Sequence, residues 1–258
     1  MTHHENPFFN LIINHTNLQR ALQQLTYAVE HAPKGSVIFL YGPSGVGKTQ
    51  LLKHFERKFT QKAHASGKLT PDAIPVALVE APAPNSGPFS WKEFYRRALI
   101  SLYEPLPDKK LVLSRAFTQQ TLDNVRTPGH ELRIALESTI LHRQVEVFLI
   151  DEAHHFALRV SPKDIQAQLE YLKSLANLTE TVLVLAGTYN LMAFRNLSGQ
   201  LSRRSCDVHL PRYRADIPEG LRAVRQLGGD DRRQTAATLL VARPVPWTQD
   251  KSHAAILS

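Results

Sequence analysis

A short stretch of the chain has the residue types and spacing of a phosphate-binding loop. It reads Gly42-Pro-Ser-Gly-Val-Gly-Lys-Thr49 and matches G-x-x-x-x-G-K-[ST] at every fixed position. Glycines let backbone N–H groups converge on an anion, and a following helix presents its positive N-terminus. The pattern predicts that Lys48 reaches the β- and γ-phosphates of a nucleotide and that Thr49 ligates Mg²⁺. The predicted nucleotide-binding residues are Gly42, Pro43, Ser44, Gly45, Val46, Gly47, Lys48, Thr49 and Gln50.

Two adjacent acids end a second apolar stretch, Val147-Phe-Leu-Ile-Asp-Glu152. Asp151, at the carboxyl end of the predicted strand, is expected to hold the Mg²⁺ through water. Glu152 is expected to orient or deprotonate the attacking water, which separates hydrolysing ATPases from proteins that only bind nucleotide. Helix capping is the other explanation of such a pair, and the phosphate loop favours the catalytic one.

Polar and basic residues follow the next apolar stretch. In Ala186-Gly-Thr-Tyr-Asn190, Thr188 is the first candidate and Asn190 the second for a side chain that faces the γ-phosphate and the attacking water. Turn formation, with capping by Asn190, is the alternative. Arg203 and Arg204 have three possible explanations. They could lie on a solvent-exposed face, or their positive charges could stabilise the C-terminus of a helix. They could also be arginine fingers that reach the γ-phosphate held by a neighbouring subunit.

Histidines beside the acids suggest two further functions, and neither is favoured. Asp151-Glu-Ala-His154 has the letters of a DEAH-box helicase, but such helicases need two recombinase-like lobes and this chain has room for one. His154 and His155 are expected to open the next loop rather than bind metal. His3 and His4 have no spaced Cys or His partners for a metal site.

Apolar stretches of strand length alternate with helical periodicity along the chain. This alternation predicts an α/β fold with a five-stranded parallel sheet covered on both faces, and a helical insertion between the second and third strands. The predicted strands are 36–41, 76–80, 145–150, 181–186 and 207–210. The predicted helices are 17–31, 48–65, 90–103, 109–126, 128–144, one that begins after the N-cap Ser161, and 190–203.

The composition limits the class of protein. The chain has 258 residues, 43% hydrophobic and 21% charged, which excludes a disordered or collagen-like chain. It carries 31 Lys and Arg against 23 Asp and Glu, and the net charge of +8 favours polyanionic partners. No apolar run approaches the roughly 20 residues of a membrane helix, and no secretory signal precedes the first predicted helix. With a single cysteine, Cys206, these features predict a cytoplasmic protein without a membrane partner.

Taken in their order along the chain, the motifs described above resemble those of the AAA+ ATPases over residues 8–216. Within that superfamily the chain looks most like the TniB/TnsC-type regulators of DNA transposition. The closer resemblance lies in Pro75–Pro84, Phe94-Tyr95, Leu149–His154, Leu172–Leu178, Leu185–Thr188 and Leu210–Tyr213. The resemblance implies a P-loop AAA+ three-layer core that binds ATP and Mg²⁺.

The resemblance also implies an assembly. Such regulators form rings or filaments on duplex DNA, hold ATP between subunits, and link a target-site protein to a transposase; hydrolysis disassembles them. In that arrangement Arg203 or Arg204 is the finger, and phosphate contacts make DNA binding non-specific and salt-dependent. Five basic residues lie in segments suited to a DNA channel, with a solvated surface as the other explanation of each: Lys109, Lys110, Arg115, Arg159 and Lys163.

The resemblance ends near residue 216. We expect an N-terminal helical segment, 1–34, an ATPase core, 35–216, and a truncated lid with an irregular tail, 217–258. AAA+ proteins continue into a helical lid, whereas here only Ile217–Leu227 is lid-like, with Arg222 and Arg225 as candidate sensors. The tail after it has the pattern of a truncated or frame-shifted lid. Two alternatives therefore stay open: an ATP-dependent switch of protein contacts in signalling or secretion without DNA binding, and an inactive remnant.

Overall fold

Five parallel strands form one sheet in the computed structural model, which describes residues 16–67, 69–84, 87–103, 128–192 and 205–212. The strands are β1 (Val37–Tyr41), β2 (Val76–Glu80), β3 (Val147–Asp151), β4 (Val182–Gly187) and β5 (Ser205–His209). Their lateral order is β2-β3-β4-β1-β5. The strand that precedes the phosphate loop and the strand that ends in Asp151 therefore flank β4. The predicted five-stranded parallel sheet is confirmed.

Helices cover both faces of this sheet. The α-helices of the described ranges are α1 (Thr16–His31), α2 (Lys48–Ala65), α3 (Trp91–Ser101), α4 (Pro128–His142) and α5 (Pro162–Thr179). One row of strand side chains is buried under α1 and α2, and the other row under α3, α4 and α5. The protein therefore has the predicted three-layer α/β core, and α3 and α4 form the described part of the insertion between β2 and β3.

The central strands are apolar on both sides because each side faces a helical layer. In β1, Val37 and Phe39 pack with α3, α4 and α5, whereas Ile38 and Leu40 pack with α1 and α2. β3 and β4 are buried along their whole length. Double burial explains the continuous apolar runs in the sequence, and it gives the loops at the carboxyl edge a rigid base.

Polar side chains fix the starts of two helices. At α5, the Ser161 amide donates to Asp164 Oδ2 and the Asp164 amide donates to Ser161 Oγ, both at 3.3 Å. At α3, the Glu93 amide donates to Ser90 Oγ at 3.3 Å. These caps satisfy amides that have no partner within the helix. The N-cap Ser161 lies where the sequence predicts it.

Several boundaries differ from the predicted ones. β3 begins at Val147 rather than Val145, because the Val145 amide donates to Ile140 O and closes the end of α4. β5 spans Ser205–His209 rather than 207–210, because its register follows β1. After β4 the chain forms a 3₁₀ turn, Tyr189–Leu191, at the start of the helix predicted over 190–203.

Other predicted elements lie outside the described residues. These are the helix 109–126, the remainder of the helix predicted after β4, and the segment 217–258. Within the described ranges, no helix has both the length and the apolar content needed to span a bilayer.

Candidate nucleotide site

The phosphate loop begins where the carboxyl ends of β1 and β4 meet, the usual place for ligands in open parallel sheets. The Gly42 amide donates to Gly187 O at 3.2 Å and so ties the loop to β4. Gly45 and Gly47 adopt left-handed conformations, with φ of 75° and 97°. Gly47 is the N-cap of α2 and no side chain caps the helix. A Cβ added at Gly45 would meet no atom within 4 Å, so the loop borders open space at this position.

Lys48 is buried at the base of this loop. Its Nζ donates to Gly42 O at 3.0 Å and to Pro43 O at 2.8 Å. Burial lowers the pKa of Lys48, and the negative charges of Glu152 and Asp151 oppose that decrease. The ammonium is therefore held against the loop backbone and feels the charges of both acids.

Thr49 and Asp151 meet beside Lys48. Thr49 Oγ1 donates to Asp151 Oδ2 at 2.6 Å. The backbone N–H of Glu152 donates to Asp151 Oδ1 at 2.8 Å, so both carboxylate oxygens are held. Hydroxyl and carboxylate oxygens are hard ligands of the kind that Mg²⁺ prefers. The pair therefore fits the Mg²⁺ that the sequence predicts at these two residues.

Glu152 occupies the turn directly after β3, with a left-handed backbone at φ 51° and ψ 29°. Burial raises the pKa of Glu152, the charge of Asp151 raises it further, and Lys48 opposes the increase. A carboxylate with a raised pKa is a stronger proton acceptor, as a general base requires. His154 Nδ1 lies 3.0 Å from Glu152 Oε2 but is not aligned for a hydrogen bond. Because burial lowers the pKa of His154, the contact is not a charged pair at neutral pH.

Thr188 follows the last residue of β4, between the phosphate loop and the acids. Its Oγ1 is buried and has no hydrogen-bond partner among the described residues. A buried hydroxyl without a partner carries a desolvation penalty that a ligand or a water would remove. Asn190 lies exposed in the following 3₁₀ turn. Of the two candidates, only Thr188 therefore has a buried polar atom at this edge of the sheet.

The part of the sequence that contains these residues matches a known protein family. The sequence matches the family model described as an AAA domain over residues 32–193, which is more than half of the chain. The chain belongs to the AAA domain family. The matched range includes the phosphate loop, β3 with its two acids, and Thr188. No protein with a curated functional description matches the chain.

Three solved structures illustrate the likeness of this fold to those of other proteins. The ORC2 protein of Aeropyrum pernix is 17% identical, with a TM-score of 0.46 over 77% of this chain and 47% of that chain. A Walker-type ATPase of Pyrococcus abyssi is 16% identical, with a TM-score of 0.48 over 81% and 56%. Drosophila ORC bound to AT-rich DNA and Cdc6 is 15% identical, with a TM-score of 0.45 over 86% and 34%. The chain thus spans between about a third and just over half of these structures.

The AAA domain brings five of the predicted site residues to one edge of the sheet. They are Lys48, Thr49, Asp151, Glu152 and Thr188. The side chain of Val46 is buried among α1 and α2, so only its backbone is available to a nucleotide. Arg203 and Arg204 lie outside the described residues.

Sequence reasoning missed an aromatic cluster at the same edge of the AAA domain. The rings of Tyr41 and His209 stack with centroids 5.2 Å apart. Tyr189 Oη lies 3.0 Å from His209 Nε2, within hydrogen-bond distance. Hydrophobic periodicity does not identify these residues, because each lies at or just beyond the end of a strand. They are brought together by the lateral strand order β4-β1-β5. Their positions at strand ends are the single signal that the sequence offers.

Replacing Gly42 with alanine is expected to lower the free energy of unfolding by about 1–3 kcal/mol, as overpacking of a tight site does. A Cβ at Gly42 would lie 2.2 Å from the backbone oxygen of Leu210, which has no flexible side-chain end that can move away. The loop and the segment after β5 must then separate. Urea unfolding followed by circular dichroism measures the change.

Gly129→Ala is the matched control. Gly129 lies in the first turn of α4, and a Cβ added there would meet nothing within 4 Å. Alanine is expected to leave stability unchanged or to raise it by up to about 1 kcal/mol, because it favours the helix. Equal destabilisation by both substitutions would contradict the close contact at Gly42.

Proposed function

We propose that this AAA domain binds ATP with Mg²⁺ and hydrolyses the ATP. One observation carries the proposal: Thr49 and Asp151, 102 positions apart in the sequence, are joined by a 2.6 Å hydrogen bond. They lie beside the buried Lys48. A phosphate-loop hydroxyl in contact with a strand-end carboxylate forms the ligand pair that a nucleotide-bound Mg²⁺ needs.

Each residue has a separate task in the proposed reaction. The loop amides and Lys48 hold the β- and γ-phosphates, while Thr49 and Asp151 hold the cation. Glu152 accepts a proton from the attacking water, and the buried hydroxyl of Thr188 orients that water. Bound Mg²⁺ supplies neutralisation of the charge on the phosphates.

We also propose that the protein works as an oligomer on duplex DNA, as the TniB/TnsC-type transposition regulators do, with a transposase and a target-site protein as partners. A net charge of +8 supports a polyanionic partner. Arg159 and Lys163, two of the residues predicted to face a DNA channel, are exposed in the segment after β3. The other three, Lys109, Lys110 and Arg115, lie outside the described residues.

ATP turnover by the purified protein, with and without duplex DNA, tests both parts of the proposal. The expected result is turnover that DNA increases, and DNA binding that weakens as salt is added, because phosphate contacts release counterions. ATP-dependent self-association without DNA binding would instead favour a switch of protein contacts. A monomer without turnover would contradict the proposal and indicate an inactive remnant.

In the oligomer that we propose, ATP lies between subunits, and the core 35–216 is preceded by the helical segment 1–34 and followed by the lid and tail, 217–258. Either Arg203 or Arg204 then reaches the γ-phosphate that a neighbouring subunit holds. A planar guanidinium suits this task because charge on the phosphate oxygens is redistributed in the transition state.

Arg203→Ala and Arg204→Ala are expected to differ in their effect on turnover. Loss of the finger should lower turnover by about 1,000-fold or more while ATP stays bound, because the finger acts on the transition state. Arg20→Ala, which removes an exposed charge from α1, is the matched control. Unchanged turnover in both arginine variants would exclude a finger at either position.

A further inference from the structure

Three side chains that can ligate a metal lie together immediately after β3. Glu152, His154 and His155 each offer one ligand atom, and these three atoms lie within 4.8 Å of one another. The backbone fixes this grouping, because Glu152 is the N-cap of the 3₁₀ turn Ala153–Ala157 and the His155 amide donates to Glu152 O at 2.9 Å. The sequence alone suggested a loop without a metal at the histidines, and this turn is what gathers them around the acid.

A hydrogen bond of the His155 ring fixes which of its two nitrogens is free for a metal. Its Nδ1 lies 2.9 Å from the backbone oxygen of Ala81, in hydrogen-bond geometry. A carbonyl oxygen only accepts hydrogen bonds, so Nδ1 carries the proton and the neutral ring keeps its lone pair on Nε2. Histidine ligands of metals commonly donate their other ring N–H to a backbone carbonyl in this way.

The ring of His154 is held by packing. Its Nδ1 is buried, makes no hydrogen bond with a described residue and lies 3.0 Å from Glu152 Oε2. The absence of a side chain at Gly187 leaves room for this ring, since a Cβ there would lie 3.0 Å from His154 N and 3.1 Å from Nδ1. One buried nitrogen and one carboxylate oxygen of the cluster are therefore already within 3.0 Å of each other.

The ligand types and the local charge select the kind of cation. Two imidazoles and a carboxylate suit Zn²⁺ and related transition metals, whereas Mg²⁺ prefers oxygen ligands alone. Asp151 and Glu152 outweigh the single positive charge of Lys48, so the surroundings attract a dication. Three protein ligands leave one position of a tetrahedral Zn²⁺ open, as in catalytic rather than structural zinc sites.

We propose that Glu152, His154 and His155 bind a divalent transition metal, with Zn²⁺ as the best fit, and that the bound metal inhibits ATP hydrolysis. Inhibition follows because a carboxylate that ligates Zn²⁺ is no longer available to accept a proton from water. This second part rests on the ATPase function proposed above, whereas the metal site itself does not.

Titration of the full-length, metal-free protein with Co²⁺ tests the site directly, because the visible absorption of Co²⁺ reports its ligands. The chain has 12 histidines, so the variants decide the outcome rather than binding alone. His154→Ala and His155→Ala are each expected to weaken Co²⁺ binding by about tenfold or more. The affinity for Zn²⁺, measured by displacement of Co²⁺, should fall by a similar factor. His64→Ala, which removes an exposed histidine from α2, should bind Co²⁺ as the unchanged protein does.

Circular dichroism of each variant shows whether it is folded. If one of the two histidine variants does not fold, the other still tests the site. Absence of Co²⁺ binding in the unchanged protein, or equal binding in all variants, would overturn the metal site.

The inhibitory part is tested by adding Zn²⁺ to the ATPase assay in excess Mg²⁺. Zn²⁺ should lower the turnover of the unchanged protein, and the fraction lost should be smaller in His154→Ala and His155→Ala, each compared with its own zinc-free rate. Equal fractional losses would overturn inhibition through this site. Absence of turnover in the zinc-free protein would contradict the ATPase function. It would not contradict the metal site, because the Co²⁺ titration tests that site without ATP hydrolysis.

Discussion

Glu152→Gln is expected to lower ATP turnover by about 100- to 10,000-fold, which is the contribution of a positioned general base. The amide keeps the size of the side chain but does not accept the proton of the attacking water. ATP affinity should change little, because Lys48 and the loop amides, rather than Glu152, are proposed to contact the phosphates. Single-turnover hydrolysis and equilibrium binding of a fluorescent ATP analogue measure the two quantities separately.

Glu80→Gln is the matched control for this substitution. Glu80 ends β2 in register with Asp151, and its side chain is exposed. The same chemical change there removes the smallest of the charge contributions to the raised pKa of Glu152 and leaves the carboxylate of Glu152 in place, so turnover should stay close to that of the unchanged protein. Turnover that survives in Glu152→Gln, or that falls equally in both variants, would contradict the role of Glu152.

Lys48→Ala is expected to weaken ATP binding by about 2–5 kcal/mol, the loss found when one partner of a buried charge pair is removed. This corresponds to roughly 30- to 5,000-fold in the dissociation constant. Lys48 is 6% exposed, and a neutral water in its place would not supply the positive charge that binds the phosphates. Equilibrium titration with the fluorescent analogue measures the change.

The control for this loss is Lys53→Ala. Lys53 is one and a half turns further along α2 and exposed, so its removal changes the net charge by the same amount at a place away from the loop. ATP binding should be retained. A comparable loss in both variants would indicate a general charge effect rather than a phosphate contact at Lys48.

Much of the site follows from the sequence for a simple reason. Parallel strands end at the same edge of a sheet, so a phosphate loop after one strand and an acid at the end of another must lie near each other. The contact of Thr49 with Asp151 is an instance of this rule. The buried runs that become β1, β3 and β4 were recognisable because strands covered on both sides are apolar throughout.

Contacts across strand ends were not predictable in the same way. The pairing of Tyr189 with His209 depends on β5 lying beside β1, and lateral strand order leaves no trace in the periodicity of a single strand. The bounds of β5 were misplaced for a related reason. At the edge of the sheet, hydrogen bonding to β1 rather than burial on two faces decides where the strand begins.

The grouping of His154 and His155 around Glu152 depends on local geometry of another kind. A left-handed residue followed by a 3₁₀ turn places the three side chains together. A regular helix would direct His154 away from Glu152 and His155, and an extended strand would direct His155 to the opposite face. A left-handed backbone conformation is uncommon for a glutamate, and the residue types around Glu152 do not predict it. The structure was needed to see the cluster.

The hydrogen bond between Thr49 and Asp151 also bears on how the protein folds. Closing a chain segment of 102 positions has an entropic cost of about 4 kcal/mol, by the logarithmic dependence on loop length. A single hydrogen bond to a charged group contributes only about 1.5–3 kcal/mol. The bond therefore does not draw β3 to the phosphate loop; the assembled sheet brings the two residues together. The proposed nucleotide site is thus complete only where the strands from both sides of the insertion have joined in one sheet.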